Sequence, residues 1–303
     1  MTVERLASAS TVGELLDETA AMLGRGGASE PQSEAREIIA ALYDVPRFWP
    51  LLNGAVEVDP PTRARAHAAV VRRLQGAPLA YAVGRASFRH LTLDVDERVL
   101  IPRPETEQLI DLVLDALSPE PGGVAIDVGT GSGAIAISLA AEGGFSRVYG
   151  TDISRDALVV AARNVDLSAG LLRSPVELLH GSLLAPLLDV RARVVVSNPP
   201  YIALGEAALL PGSVRDWEPP VALFSGSDGM TTTARLVREA ADVLAPGGLL
   251  ALEVDARRAS LAAELVSRER RFEAVRVELD LSGRERFVLA RRQGSPQTKA
   301  RTG

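Results

Sequence analysis

The chain has 303 residues, 47% hydrophobic and 24% charged, a globular composition long enough for two domains. Its net charge of −6 weighs against a protein that grips nucleic-acid phosphates by bulk electrostatics. There is no cysteine, which excludes disulfides and thiolate metal sites, and no metal is expected.

The opening "MTVERLASAS" has neither a basic n-region nor an apolar h-region, so no signal peptide is expected. The longest uncharged stretches are broken by Asp127 and by glycines, so no membrane span is expected either, and a cytoplasmic location follows. Lysine occurs once, at Lys299, and the arginine bias reads as genome composition. Residues from about 10 to 83 read as helices. In "TVGELLDETAAML", Thr11 precedes Glu14 by three residues, a capping-box pattern. "PQSEAREIIAALYDV" and "PTRARAHAAVVRRLQG" carry apolar residues at helical spacing behind prolines. "GAPLAYAVG" ends this small bundle. "RASFRHLTLDVDE" then alternates, with Phe88, Leu91, Leu93 and Val95 on one candidate buried face, and predicts a short hairpin. "PRPETE" opens a helix from about 105 to 117, with acids in its first turn where the helix dipole favours them.

From Gly123 onward the pattern is alternating strands and helices. The strands are "VAIDVG", "RVYGTDI", "VELLHGS", "RVVVSN", "LLALEV", "AVRVELDL" and "RFVLARR". Helical segments are expected between the first five and again before the sixth. The expected fold is α/β, a doubly wound, mostly parallel seven-stranded sheet covered on both faces. The link "SGRE" between the last two strands is too short for a parallel crossover, so that pair should be antiparallel. The tail is polar and expected to be disordered. The expected division is a helical domain over 1–83, a hairpin linker over 84–101, a main domain over 102–293 and a tail over 294–303.

Three motifs carry chemistry. In "AIDVGTGSGAIAISLAA", Gly129, Gly131 and Gly133 allow a sharp strand-to-helix turn and a close ligand approach. The spacing is G-x-G-x-G, and Asp127 stands just before it. A carboxylate there suits a cationic ligand better than a pyrophosphate; the other reading is a plain tight turn. The next strand ends in Asp152, where doubly wound folds place an acid against ribose hydroxyls. Asp152 also has a helix-capping reading, but Ser154 can take that role. "SNPPY" (197–201) ends the fourth strand, and its prolines cannot donate to a ladder. Asn198 offers a carbonyl acceptor, Pro199 and Pro200 a fixed backbone, and Tyr201 a flat ring. Together they can hold a planar NH2 group; alone they are a rigid turn.

In this order, "DVGTGSG", "TDIS" and "SNPPY" resemble class I methyltransferases that use S-adenosylmethionine and alkylate an amino or amide nitrogen. "VLIPRPETE", "SVRDWEPPVAL" and the N-terminal helices make nearly the whole chain similar to the PrmC/HemK family. That family methylates the glutamine of the GGQ motif in peptide chain release factors. The resemblance implies a Rossmann-like methyltransferase domain with a small N-terminal helical substrate-binding domain. It implies that Gly129, Thr130, Gly131, Ser132 and Gly133 surround the methionine part of the cofactor. It gives Asp152 the ribose and Leu183 the adenine pocket, and it makes S-adenosylhomocysteine the product. Asn198 would touch cofactor and substrate, with Asn198, Pro199, Pro200 and Tyr201 holding the acceptor glutamine and Asn198, Pro199 and Tyr201 catalytic. Two departures stand out. Ser182-Leu183 replaces a common acid-aromatic pair, and Val254-Asp255 replaces a small turn after "LLALE"; neither of the latter two is given a role. His67, His90 and His180 lie outside the motifs, so no histidine base is expected. The partner would be a release factor, with no direct nucleic-acid contact. The rival readings are an adenine-N6 methyltransferase on DNA or RNA, which should carry a basic face, and a non-enzymatic cofactor-binding module, which loss of Asn198 would have favoured.

Overall fold

The computed structural model describes residues 9–117 and 121–294. The expected disordered tail lies, from 295 onward, outside the described residues. The chain forms two compact units. One gathers the chain through Arg85 with Val95–Glu97 and Pro211–Trp217; the other holds Ala86–Asp94, Arg98–Leu210 and the chain from Glu218.

The first unit is helical. Helix α1 (Val12–Arg25) starts with the capping box: Thr11 Oγ1 accepts from the Glu14 N–H and Glu14 Oε2 accepts from the Thr11 N–H. Helices α2 (Pro31–Tyr43) and α4 (Pro60–Leu74) have proline in the first turn, where its missing N–H has no helical partner to lose. Asp59 caps α4 by accepting from the Thr62 N–H at 2.7 Å. Leu15, Leu23, Ile38, Ile39 and Val70 form the core. Two short helices, α3 (Trp49–Leu52) and α5 (Leu79–Val83), are absent from the periodicity reading because four or five residues cannot display a 3.6-residue repeat. Pro211–Trp217 joins this unit through Trp217, whose ring lies 5.9 Å from the Arg72 guanidinium carbon.

The second unit begins with a two-stranded hairpin, β1 (Arg85–Phe88) and β2 (Leu91–Asp94). Phe88, Leu91 and Leu93 are buried in this unit's own core, beside Leu109 and Val113 of α6 (Pro104–Ala116). There follow β3 (Val124–Val128), α7 (Ala134–Glu142), β4 (Arg147–Asp152), α8 (Arg155–Leu167), β5 (Val176–His180) and β6 (Ala192–Ser197). Short helices α9 (Gly212–Arg215, part of the helical unit) and α10 (Pro220–Leu223) precede α11 (Thr231–Val243). The chain ends in β7 (Leu244–Glu253), α12 (Ala259–Arg268), β8 (Phe272–Leu279) and β9 (Glu285–Arg292).

The seven main strands form one sheet in the order β5-β4-β3-β6-β7-β9-β8. The first five are parallel, and β9 runs antiparallel to both its neighbours. Alternate residues serve two cores. Ile126, Val195, Leu250 and Leu252 pack with α11 and α12, while Ala125, Val194, Val196, Leu249 and Ala251 pack with α6 and α7. One expectation fails: β5 and β6 are joined by the 3-10 turn Ala185–Leu187, not by a helix. The apolar run there is short and interrupted by Pro186. The strand order reverses between β3 and β6, so the carboxyl ends of these two strands flank the crevice where such sheets bind ligands. They carry the glycine loop and Asn198.

Candidate active site

The loop after β3 is folded upon itself. Gly129, Gly131 and Gly133 all have positive φ, at 74°, 54° and 85°, a backbone region that side chains disfavour. The N–H groups of Gly129 and Thr130 donate to Thr151 O, and that of Gly133 donates to Thr130 O. Asp127 Oδ2 accepts from Thr130 Oγ1 at 2.6 Å and from the Ala136 N–H at 3.1 Å. The N–H groups of Gly129, Thr130, Gly131 and Gly133 are thus satisfied within the protein. The other Asp127 oxygen, Oδ1, is buried without a hydrogen-bond partner. Burial pushes the Asp127 carboxyl up to about 7, and the neighbouring charge of Asp152 adds to the rise.

Asp152, at the end of β4, is fixed by backbone donors. Its Oδ2 accepts from the Gly131 N–H at 2.9 Å and its Oδ1 from the Ser154 N–H at 2.8 Å. Each carboxylate oxygen keeps a further lone pair for a hydroxyl. Ser154 is the cap of α8, accepting from the Ala157 N–H at 3.1 Å, which leaves Asp152 free of that duty. Burial raises the Asp152 pKa. The loop is tied from behind by Asn164, fully buried, whose amide donates to Ser132 O at 2.8 Å and to Asp94 O at 2.9 Å.

At the end of β6, Ser197 Oγ donates to Val128 O at 2.6 Å and locks the strand ends together. The Asn198 amide donates through Nδ2 to Thr106 Oγ1 at 3.2 Å. Thr106 in turn donates to Glu253 Oε2 at 2.7 Å. Tyr201 is partly buried, and its phenol is pushed up to about 12 by desolvation and by the charge of Glu253. Val254 is core, and Asp255 caps the turn Ala256–Arg258 by accepting from the Arg257 N–H at 2.9 Å.

A cavity of about 320 Å³ opens between these strand ends. Gly129, Gly131, Asp152, Leu183, Asn198 and Pro200 line it. Thr130, Ser132 and Gly133 hold the loop from within, while Pro199 and Tyr201 stand beside the cavity and do not line it. Leu183 has φ 53°, a strained conformation for a bulky residue that turns it onto the cavity wall. Beside it, Ser182 Oγ accepts from Arg235 at 3.1 Å. Val99 and Leu100 form another wall, with Val221 and Phe224. The two motifs that supply that wall are pinned by Arg103, whose Nη2 lies 2.7 Å from both oxygens of the buried Glu218. Thr106, Arg103, Glu218 and Glu253 were not singled out from the sequence. The available signals were the two motifs themselves and an acid ending the otherwise apolar "LLALE" strand. His180, at the end of β5, only approaches Ile153 O at 3.1 Å and is exposed.

Two buried or half-buried carboxylates with raised pKa values favour a positive charge nearby, since it offsets their lost hydration. Asp152 on the cavity wall and the apolar lining beside it suit S-adenosylmethionine, a cation with a nucleoside, and the buried Asp127 lies behind the loop. The fold and this site define a class I S-adenosylmethionine-dependent methyltransferase. A "Methyltransferase small domain" model matches residues 107–209, and a "PrmC N-terminal domain" model matches residues 14–84. The chain is 41% identical to a release factor glutamine methyltransferase of Deinococcus radiodurans, over 93% of this chain and 98% of that one. It is 38% identical to one from Moorella thermoacetica, over 93% and 99%. A methyltransferase structure from Pyrococcus furiosus shares the fold, with TM-score 0.51 at 19% identity over 78% of this chain and 100% of that one. The chain belongs to the release factor glutamine methyltransferase family.

Proposed function

We propose that this protein transfers a methyl group from S-adenosylmethionine to the side-chain amide nitrogen, N5, of the glutamine in the GGQ motif of peptide chain release factors. The observation that carries the reading is the orientation of Asn198. One of its two N–H donors goes to Thr106, which orients the amide with Oδ1 as the open end, an acceptor for a substrate NH2 at the mouth of the cavity.

A carboxamide nitrogen is a poor nucleophile, because its lone pair is delocalised. When bound, S-adenosylmethionine supplies a methyl group made electrophilic by its sulfonium. Asp152, on the cavity wall, would hold the ribose, and the negative charge of Asp127 buried behind the glycine loop would favour the sulfonium. Asn198 Oδ1 and the Pro199 carbonyl accept the two amide hydrogens, with Tyr201 against the amide plane. The acceptor nitrogen is thereby aimed in line with the methyl group, and orientation of this kind supplies up to roughly 7–11 kcal/mol. No side-chain base is required, since the nitrogen becomes acidic once methylated and loses its proton to water. The helical unit takes the protein contact; it exposes Phe48, Leu51 and Leu52, at 60%, 53% and 84%.

Asn198→Ala tests the reading. It leaves an amide hydrogen of the substrate without an acceptor, at about 1–3 kcal/mol, so methyl transfer should fall by about ten- to a hundredfold. Fold and cofactor affinity should change little. A wild-type rate of glutamine methylation by Asn198→Ala would reduce "SNPPY" to a rigid turn.

A further inference from the structure

We propose that Glu253 and Thr106 are positioning residues that set the polarity of the Asn198 amide, so that its oxygen and not its NH2 meets the acceptor glutamine. The inference rests on the function proposed above and adds two residues to it.

Thr106 has one hydroxyl proton, and it is donated to Glu253 Oε2 at 2.7 Å. Towards Asn198 it can then only accept, which it does from Nδ2 at 3.2 Å. An ionised carboxylate accepts and never donates, so the direction of both hydrogen bonds is fixed from Glu253 outward. Thr106 is 5% exposed and Glu253 1%, so water does not compete for either bond. The three residues come from α6, β7 and the end of β6, elements far apart in sequence that the sheet brings together. A carboxylate placed this deep is expensive unless it serves its partners.

Protonating Glu253 removes the constraint. The neutral acid can donate to Thr106, whose own proton is then free for Asn198 Oδ1. The amide turns over and presents NH2 to the substrate's NH2, two donors face to face. Desolvation pushes Glu253 up to about 7, against the Thr106 hydrogen bond, Arg286 and Arg103, which lower it, while Glu105 adds to the rise. Tyr201 stands near enough for its phenol to feel the Glu253 charge. Loss of rate on the acid side should follow this proton.

The test uses the full chain with S-adenosylmethionine and a release factor, measuring kcat, the KM for the release factor, cofactor affinity and the pH profile. Glu253→Gln keeps the shape but can donate to Thr106; Thr106→Val removes the relay; Thr106→Ser keeps its hydroxyl. The first two should lower kcat by at least about tenfold, with KM and cofactor affinity changed by less than about threefold. Thr106→Ser should retain most of the rate. The wild-type kcat should fall as pH drops below about 7, and Glu253→Gln should lose that limb. If Glu253→Gln does not fold, the Thr106→Val and Thr106→Ser pair decides. The relay is overturned if both of these keep the wild-type rate, if both lose it equally, or if cofactor affinity falls in step with kcat. Should that occur while Asn198→Ala is inactive, the proposed function stands without the relay; an active Asn198→Ala removes the function itself.

Discussion

Asp152 does two things with one carboxylate. Backbone N–H groups of Gly131 and Ser154 hold it in place, and its remaining lone pairs face the cavity. Asp152→Ala should weaken S-adenosylmethionine binding by about 1.5–3 kcal/mol for each charged hydrogen bond lost. Calorimetry returning an unchanged dissociation constant would take Asp152 out of the site. Asp127 gives a pH signature in the cofactor-free protein. Its folded pKa is raised from 3.8 to about 7, so as pH rises the unfolded chain loses this proton first. Stability from this group is therefore full below roughly pH 4, falls between roughly pH 4 and 7, and is level above. Asp127→Asn should not show this fall, so wild-type stability minus variant stability should decline across that window, by at most about 4 kcal/mol. Urea unfolding at a series of pH values measures it, and a pH-independent difference would contradict the burial argument. At this scale the sequence revealed the residues with motif context: Asp152 after the glycines, Ser154 as a cap, Asn198 before the prolines. It did not reveal Asn164, Thr106 or Glu253. Their partners lie 32 to 147 residues away, a distance at which spacing carries no signal.

Among the elements, the β3–β4 pair builds the cofactor loop. Asp127 and Gly150 are register partners, and a Cβ on Gly150 would sit 2.9 Å from Thr130 Oγ1 and 2.8 Å from Leu178 Cδ2. Thr130 cannot yield without breaking its bond to Asp127. Gly150→Ala should destabilise the fold by about 1–3 kcal/mol and weaken cofactor binding with it. A thermal melt and a binding isotherm both matching wild type would show the loop to be more accommodating than this packing implies. All seven strands of the sheet were legible, because each is an apolar run bounded by turn residues, and "SGRE" was short enough to force the last pair antiparallel. The order was not legible. Nothing local tells β6 to pair with β3 or β9 to enter between β7 and β8; only the long-range ladders do. The expected helix between β5 and β6 is absent because Pro186 and a short linker leave room for one 3-10 turn.

The whole chain is two units whose boundaries are not linear in sequence. The hairpin read as a linker is mostly core of the larger unit, and Pro211–Trp217 returns to the helical one. Composition does not betray such a return, since what fixes it is Trp217 against Arg72. The residues lining the cavity all belong to the larger unit. Among the described residues no helix is long and apolar enough to cross a membrane. The proposed function centres on one nitrogen, the glutamine amide that Asn198 would hold beside the methyl donor. The direct measurement is to incubate the protein with S-adenosylmethionine and an intact release factor, digest the product, and fragment the GGQ peptide in a mass spectrometer. The account predicts one added methyl group, on the glutamine side-chain nitrogen, and none with Asn198→Ala. An unmodified glutamine in the presence of bound cofactor, or a methyl group delivered instead to adenine in added DNA or RNA, would contradict it.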